Sequence, residues 1–214
     1  MKPLLHLCYF GSIAQYAVIA KTCMDGDDNA EIFFEREDNY QKQTYRNRQY
    51  IYGANGKLLL NIPILHPKKG EKKVYKHVEI DPNENWRSLH LKSIESAYQS
   101  SPFFEFYYDN IQSTLSASIK SLYEFNVTCT KVVLDSLELF PAINFTNSYK
   151  IYLDDQDDFR YLVNAKATLH ANFPKYTQVF DDKHGFIPNL SILDLLFNEG
   201  PASLRYLYQV GNSL

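Results

Sequence analysis

Cysteine is scarce in this chain, and nothing in its placement would do structural or metal work. Cys8, Cys23 and Cys129 are odd in number and widely spaced, with no Cys-x-x-Cys pair. That excludes a disulfide framework and fits a reducing compartment. The six histidines (His6, His66, His77, His90, His170, His184) show no His-x-x-x-His or Cys-x-x-His spacing, so no metal and no other cofactor is expected. Positive charge is not in excess: 22 Lys and Arg against 25 Asp and Glu leave a formal net charge of -3. No global field therefore draws the chain to nucleic acid or to an anionic membrane. Long apolar runs are missing too. Nothing reaches the roughly eighteen residues that a spanning helix needs, so no membrane insertion is expected. His6, Gly11, Ser12 and Gln15 interrupt the first twenty residues, and no small-residue cleavage site follows. The expected location is the cytoplasm. The phosphate-cradling glycine motifs are absent as well: Gly53-Ala54-Asn55-Gly56-Lys57 lacks the P-loop spacing and its Ser/Thr, and no Gly-x-Gly-x-x-Gly occurs.

What the chain has in quantity is aromatic surface, 17 Tyr and 14 Phe. Tyr joins a large contact area to a polar tip, so the excess suits either a well-packed interior or a sugar-contacting surface. At 214 residues with no repeat, low-complexity tract or linker, the chain reads as one domain, 1–214. The pattern is α+β: N-terminal antiparallel strands, including a hairpin near 45–64, packed with a mainly helical C-terminal half. Residues 3 to 10 read as an apolar strand, and Ser12 as the cap of a helix carrying Ile13, Tyr16, Ala17 and Ile19. Residues 24–29 have turn chemistry and 30–35 form a strand. Strand 45–52 turns through Gly53-Ala54-Asn55-Gly56 into 57–64, where Pro63 ends the ladder. A lysine-rich loop is expected at 66–76, overlapping an alternating strand at 73–80. Trp86, Leu89, His90, Ile94, Ala97 and Tyr98 make a helical stripe ending before Ser101-Pro102. Helix continues over 103–125 and again over 130–140. Residues 154–158 form an acidic loop, and short strands or irregular chain follow at 161–169 and 176–180.

The closing stretch, His184 to Pro201, is marked at both ends. Ser191 is a good N-cap, with Asp194 able to reach back as in a capping box, while Gly200 suits the position past the C-terminus and Pro201 forbids continuation. Ile192, Leu193, Leu195, Leu196 and Phe197 make this helix apolar on nearly all sides, hence buried. His184, Asp194 and Asn198 then lie near a dense core where each needs a partner.

That stretch resembles the C-terminal block of the WbqC-like family, in the short form typical of Bacteroides-like bacteria. Two more blocks agree and fall in the same order: Asn39-Tyr40-Gln41-Lys42-Gln43-Thr44-Tyr45-Arg46-Asn47-Arg48, and Trp86-Arg87-Ser88-Leu89-His90 with Ser96 to Phe104. The family is often linked to surface-polysaccharide gene clusters. The resemblance implies a small-molecule or nucleotide- or lipid-linked sugar substrate, and glycyl or other acyl transfer to an amino sugar has been suggested for it.

Three sets of residues can carry such chemistry. If residues 41–48 are extended, Lys42, Thr44, Arg46 and Arg48 share one face and Gln41, Gln43, Tyr45 and Asn47 the other. The cations would hold a phosphate or acyl carboxylate, or simply pair with Glu35, Glu37 or Asp38. His90, on the stripe of its helix, is a candidate general base or a satisfied core imidazole. Tyr98, two turns on, orients a ligand or packs. Asp194 either caps its helix or holds the His184 imidazole in one tautomer, and Asn198 offers both a donor and an acceptor. Cys8 lies in an apolar strand, where burial raises a thiol's pKa, and is a poor nucleophile. The transferase reading thus assigns His90, Asp194 and His184 to catalysis, and Lys42, Arg46, Asn47, Arg48, Tyr98 and Asn198 to substrate, all converging on one pocket. The alternative is a non-catalytic carbohydrate- or partner-binding protein of the same pathway.

Overall fold

Apolar runs only three to six residues long make the strands of this chain, and what separates them decides how they pair. The computed structural model describes residues 1–26, 30–65, 73–150 and 158–214. The expected lysine-rich loop at 66–72 with His66, the end of the first turn at 27–29 and most of the acidic loop (154–157) lie outside the described residues. After β1 (Leu4–His6) comes α1 (Ile13–Asp25), whose N-cap Ser12 Oγ accepts the Gln15 N–H at 3.4 Å. Then follow β2 (Glu31–Glu35) and the hairpin of β3 (Arg48–Gly53) and β4 (Gly56–Asn61). Next come α2 (Trp86–Tyr98), α3 (Phe104–Ser116), α4 (Leu122–Ser136) and β5 (Ala142–Phe145). The single turn α5 (Asp181–His184), α6 (Ile192–Glu199) and α7 (Ser203–Gly211) close the chain.

The α+β architecture stands, and so does the antiparallel hairpin, in register Arg48↔Asn61 to Gly53↔Gly56. The N-terminal strands are a correction. They form a parallel sheet in the order β1-β2-β5, with Leu4 opposite Phe33 and Ile32 opposite Ile143. Parallel pairing needs a crossover, and α1 supplies it between β1 and β2. The third strand comes from the half of the sequence read as mainly helical. Residues 73–80 are a second correction: a 3-10 turn at Tyr75–His77 with isolated bridges stands where a strand was expected. Helix 130–140 is part of α4, which begins at Leu122. Residues 161–163 belong to the 3-10 turn Arg160–Val163 rather than to a strand.

One apolar cluster runs from Leu5 to Val210. At its centre α1 is buried on every side from Ile13 to Ala20. It packs against α7, where Gly211 lets the helices touch, since a Cβ there would meet the Ala17 carbonyl oxygen at 2.6 Å. The closing helix α6 is buried as its composition requires. Gly200 follows it with φ 52°, and a side chain there would strike the Phe103 ring at 2.5 Å. On α2 the buried stripe is Trp86, His90, Ile94, Ala97 and Tyr98, while Leu89 is exposed.

Candidate functional site

Residues 39 to 48, the first of the blocks singled out above, form with Asp38 a wall between two concavities. They do not run as a strand: β3 begins only at Arg48, and Gln43 adopts φ 62°, which breaks the alternation of an extended chain. The expected single cationic face therefore splits. Tyr40, Lys42, Gln43, Asn47 and Arg48 line a cavity of about 360 Å³ beside the hairpin, with Asn61, Asp81 and Glu84. Asp38 and Gln41 line the other, of about 460 Å³, with His6, Tyr149, Asp158, Arg160, Tyr161 and Asn164.

The second concavity lies where β1, β2 and β5 end. His6 is the last residue of β1, Asp38 lies three residues beyond β2 and Tyr149 four beyond β5. Arg46 backs it from below and is completely buried, not part of the hairpin cavity as expected. Its Nη2 donates to Asp38 Oδ2 at 2.7 Å and lies 2.9 Å from His6 Nε2, and its guanidinium sits 5.3 Å from the centre of the Tyr75 ring. Burial, and then the Arg46 and Arg160 charges, hold the His6 imidazole well below its ordinary pKa, so at neutral pH it is uncharged and accepts from Arg46. Arg160 donates through Nε to Asp158 Oδ1 at 2.8 Å, and its Nη1 lies 3.6 Å from Glu35 Oε2. Glu35 Oε1 in turn accepts from Thr146 Oγ1 and the Glu37 N–H. Three carboxylates and two guanidiniums are thus fixed against one another under the sheet edge.

In the hairpin cavity the polar groups are less fully matched. Asn47 donates to the Ile62 carbonyl at 2.9 Å and to Asn61 Oδ1 at 3.3 Å, but among the described residues its buried Oδ1 has no hydrogen-bond partner, nor does the buried Nε of Arg48. Arg48 and Asn61 face each other across the hairpin register. Buried polar atoms without partners are uncommon enough to need a reason, and a bound ligand is one.

The remaining candidates do not converge on either cavity. His90 is buried, its Nδ1 2.8 Å from Tyr9 Oη, and the Asn61 backbone carbonyl lies against the ring. Burial pushes its pKa down to about 4, the Asn61 contact opposing this. It stands behind the hairpin cavity, in touch with Asn61, rather than in the lining. Asp194 holds neither its cap nor an imidazole. Its Oδ1 accepts from Tyr98 Oη at 2.9 Å, and its Oδ2 accepts from Tyr176 Oη at 2.5 Å and Gln178 Nε2 at 2.8 Å. Tyr98 Oη also accepts the Tyr52 N–H at 3.0 Å, tying α2, α6 and β3 together. Burial raises the Asp194 pKa to about 6 against three hydrogen bonds that lower it. His184 is exposed on α5, with Nε2 3.0 Å from the Ala54 carbonyl at the hairpin tip, so the expected His184–Asp194 pair is not formed. Asn198 donates to the Asp194 carbonyl one turn back. Cys8 lies two residues past the end of β1, not in the strand expected over 3 to 10, and burial pushes its thiol up to about 12.

Sequence reasoning passed over His6 and Arg160 and treated Asp38 only as a possible counter-ion. The one available signal was a histidine inside the apolar run Leu4-Leu5-His6-Leu7. Nothing local marks Arg160.

Fold and cavities together define a class: an α+β protein whose small parallel sheet ends in a polar concavity, with a second cavity beside a hairpin. The chain belongs to the WbqC-like protein family, whose model matches residues 28–172 and 164–206. All three blocks lie within the match, and His6 lies before it. Comparisons with curated proteins and with solved structures each find no match. Among the described residues no helix is long and apolar enough to cross a membrane, and no group of three or more His, Cys, Asp or Glu is placed to hold a metal ion.

Proposed function

We propose that this protein is a cytoplasmic sugar-modifying transferase of surface-polysaccharide (O-antigen or capsule) assembly, acting as one WbqC-like domain over 1–214 and transferring a glycyl or other acyl group to an amino sugar. In that reaction the sugar nitrogen bonds to the acyl carbon, the bond from that carbon to its carrier breaks, and the nitrogen gives up a proton. The observation that carries the reading is the hairpin cavity. Within a block of the matched family region, Asn47 Oδ1 and Arg48 Nε are buried without partners among the described residues, beside Lys42 and the carboxylates of Asp81 and Glu84. Lys42 and Arg48 suit the phosphate or carboxylate of the activated substrate, and Asn47 an amide or hydroxyl. Asp81 or Glu84 takes the proton, since His90, His184 and Asp194 line neither cavity.

The alternative is a carbohydrate-binding protein of the same pathway without chemistry of its own. The engagement of every expected base in internal hydrogen bonds favours it. Mass analysis of the surface glycan decides. In a deletion strain complemented with Arg48→Ala or Lys42→Ala, the transferase reading expects a glycan short by the mass of the acyl substituent. A glycan mass in the deletion strain equal to that of the parent strain rules the transferase out. A glycan shortened by whole sugar residues supports the binding protein instead.

A further inference from the structure

The concavity at the end of the parallel sheet has a chemistry distinct from the hairpin cavity and stands apart from the grip proposed there. Its position is one that parallel sheets lend to ligands, because the strands stop there together and the loops that follow diverge. Its lining combines acceptor-only carboxylates, Asp38 and Asp158, with the amides of Gln41 and Asn164. Both carboxylates are held rigidly, Asp38 by buried Arg46 and Asp158 by the fork of Arg160. Among the described residues, Asp38 Oδ1 carries no hydrogen bond. Beside these groups stand Tyr149, 46% exposed with the Arg160 guanidinium 5.3 Å from its ring centre, and Tyr161, 49% exposed.

Arg160 also lines the concavity, but it is engaged by Asp158 and Glu35, as Arg46 behind it is by Asp38, so an anion would have to displace a fixed carboxylate. A purely apolar ligand would leave those oxygens dry and unpaired. A pyranose satisfies the set. Its vicinal hydroxyls donate to the fixed carboxylates and accept from amide N–H groups, and its C–H face covers a tyrosine ring. The geometry points to a monosaccharide subsite here, taking a neutral or N-acetylated hexose.

The test is saturation-transfer NMR and calorimetry on the full chain with glucose, galactose, N-acetylglucosamine and N-acetylgalactosamine at up to about 10 mM, tenfold above a millimolar Kd. Asp38→Asn would disturb buried Arg46, so the exposed Gln41 and Tyr161 are the positions to change. At least one sugar should bind, and Gln41→Ala and Tyr161→Ala should each weaken it roughly tenfold while leaving the melting temperature unchanged. The subsite is overturned if none of the four sugars binds, or if binding survives both substitutions. Glycan mass in Arg48→Ala cells bears on the proposed transferase alone, so the two readings fail separately.

Discussion

Arg46 and Asp194 are both withdrawn from solvent, yet their surroundings solve the burial problem in different ways. Arg46 is answered by an opposite charge, Asp38, and by a neutral imidazole, leaving its own Nε and Asp38 Oδ1 without hydrogen bonds among the described residues. Asp194 is answered by neutral donors, with both oxygens occupied by Tyr98, Tyr176 and Gln178. The first group reaches a concavity and the second is sealed between α2, α6 and β3. Burial of a polar side chain thus says little about function here; spare hydrogen-bonding capacity facing an opening is the better guide.

The largest effect should come from removing one partner of the charged group. Arg46→Ala leaves Asp38 and His6 buried without their donor and should lower unfolding free energy by about 3–5 kcal/mol, read from urea denaturation. The Asp194 group should respond to pH instead. Its folded pKa of about 6 lies above the ordinary 3.8, so the stability it contributes is full below pH 3.8 and is lost as pH rises through 6. Asp194→Asn should remove that slope, a difference of ~3 kcal/mol across the window, seen as a flatter dependence of melting temperature on pH. His90 acts in the opposite sense. Its pKa is depressed from 6.5 to about 4, so its contribution is full above pH 6.5 and lost as pH falls toward 4. His90→Gln should therefore make the protein less sensitive to acid, which the same titration detects. Tyr98→Phe removes one donor to Asp194 and the acceptor of the Tyr52 N–H, and should cost about 1–3 kcal/mol without altering glycan chemistry. The smallest change in stability, within ~0.5 kcal/mol, is expected for Lys42→Ala at the exposed rim of the hairpin cavity, where the glycan phenotype should nonetheless be marked. Equal losses of stability at Lys42 and Arg46 would erase the distinction between the two kinds of site.

Local pattern revealed those elements whose ends carry their own chemistry. Ser12 and Ser191 cap the helices expected of them, Gly53 to Gly56 turns the hairpin, and Gly200 takes the positive φ that ends α6. Strand direction was not readable, because three residues of apolar chain look alike in parallel and antiparallel sheets and only the crossover helix distinguishes them. The cationic block reads as one face only if the backbone is extended, but residues 42–47 run as turns, with Gln43 left-handed, and the turn at 45–47 puts Arg46 on the opposite side of the wall from Arg48. Asp194 was visible as a buried acid on an apolar helix, but its partners lie 96, 18 and 16 residues away and nothing local names them.

By itself, then, the sequence determined composition class, helix caps, hairpin turn and family, because each depends on residues within a few positions of one another or on ordered blocks along the chain. Only the tertiary structure decided which charges meet. His6, the pair Asp38 and Arg46, and Arg160 come from three separate stretches, and their contact exists because three short strands end at one sheet edge. Charge pairing is a matter of distance in space, and a chain of 214 residues does not write that distance in its order.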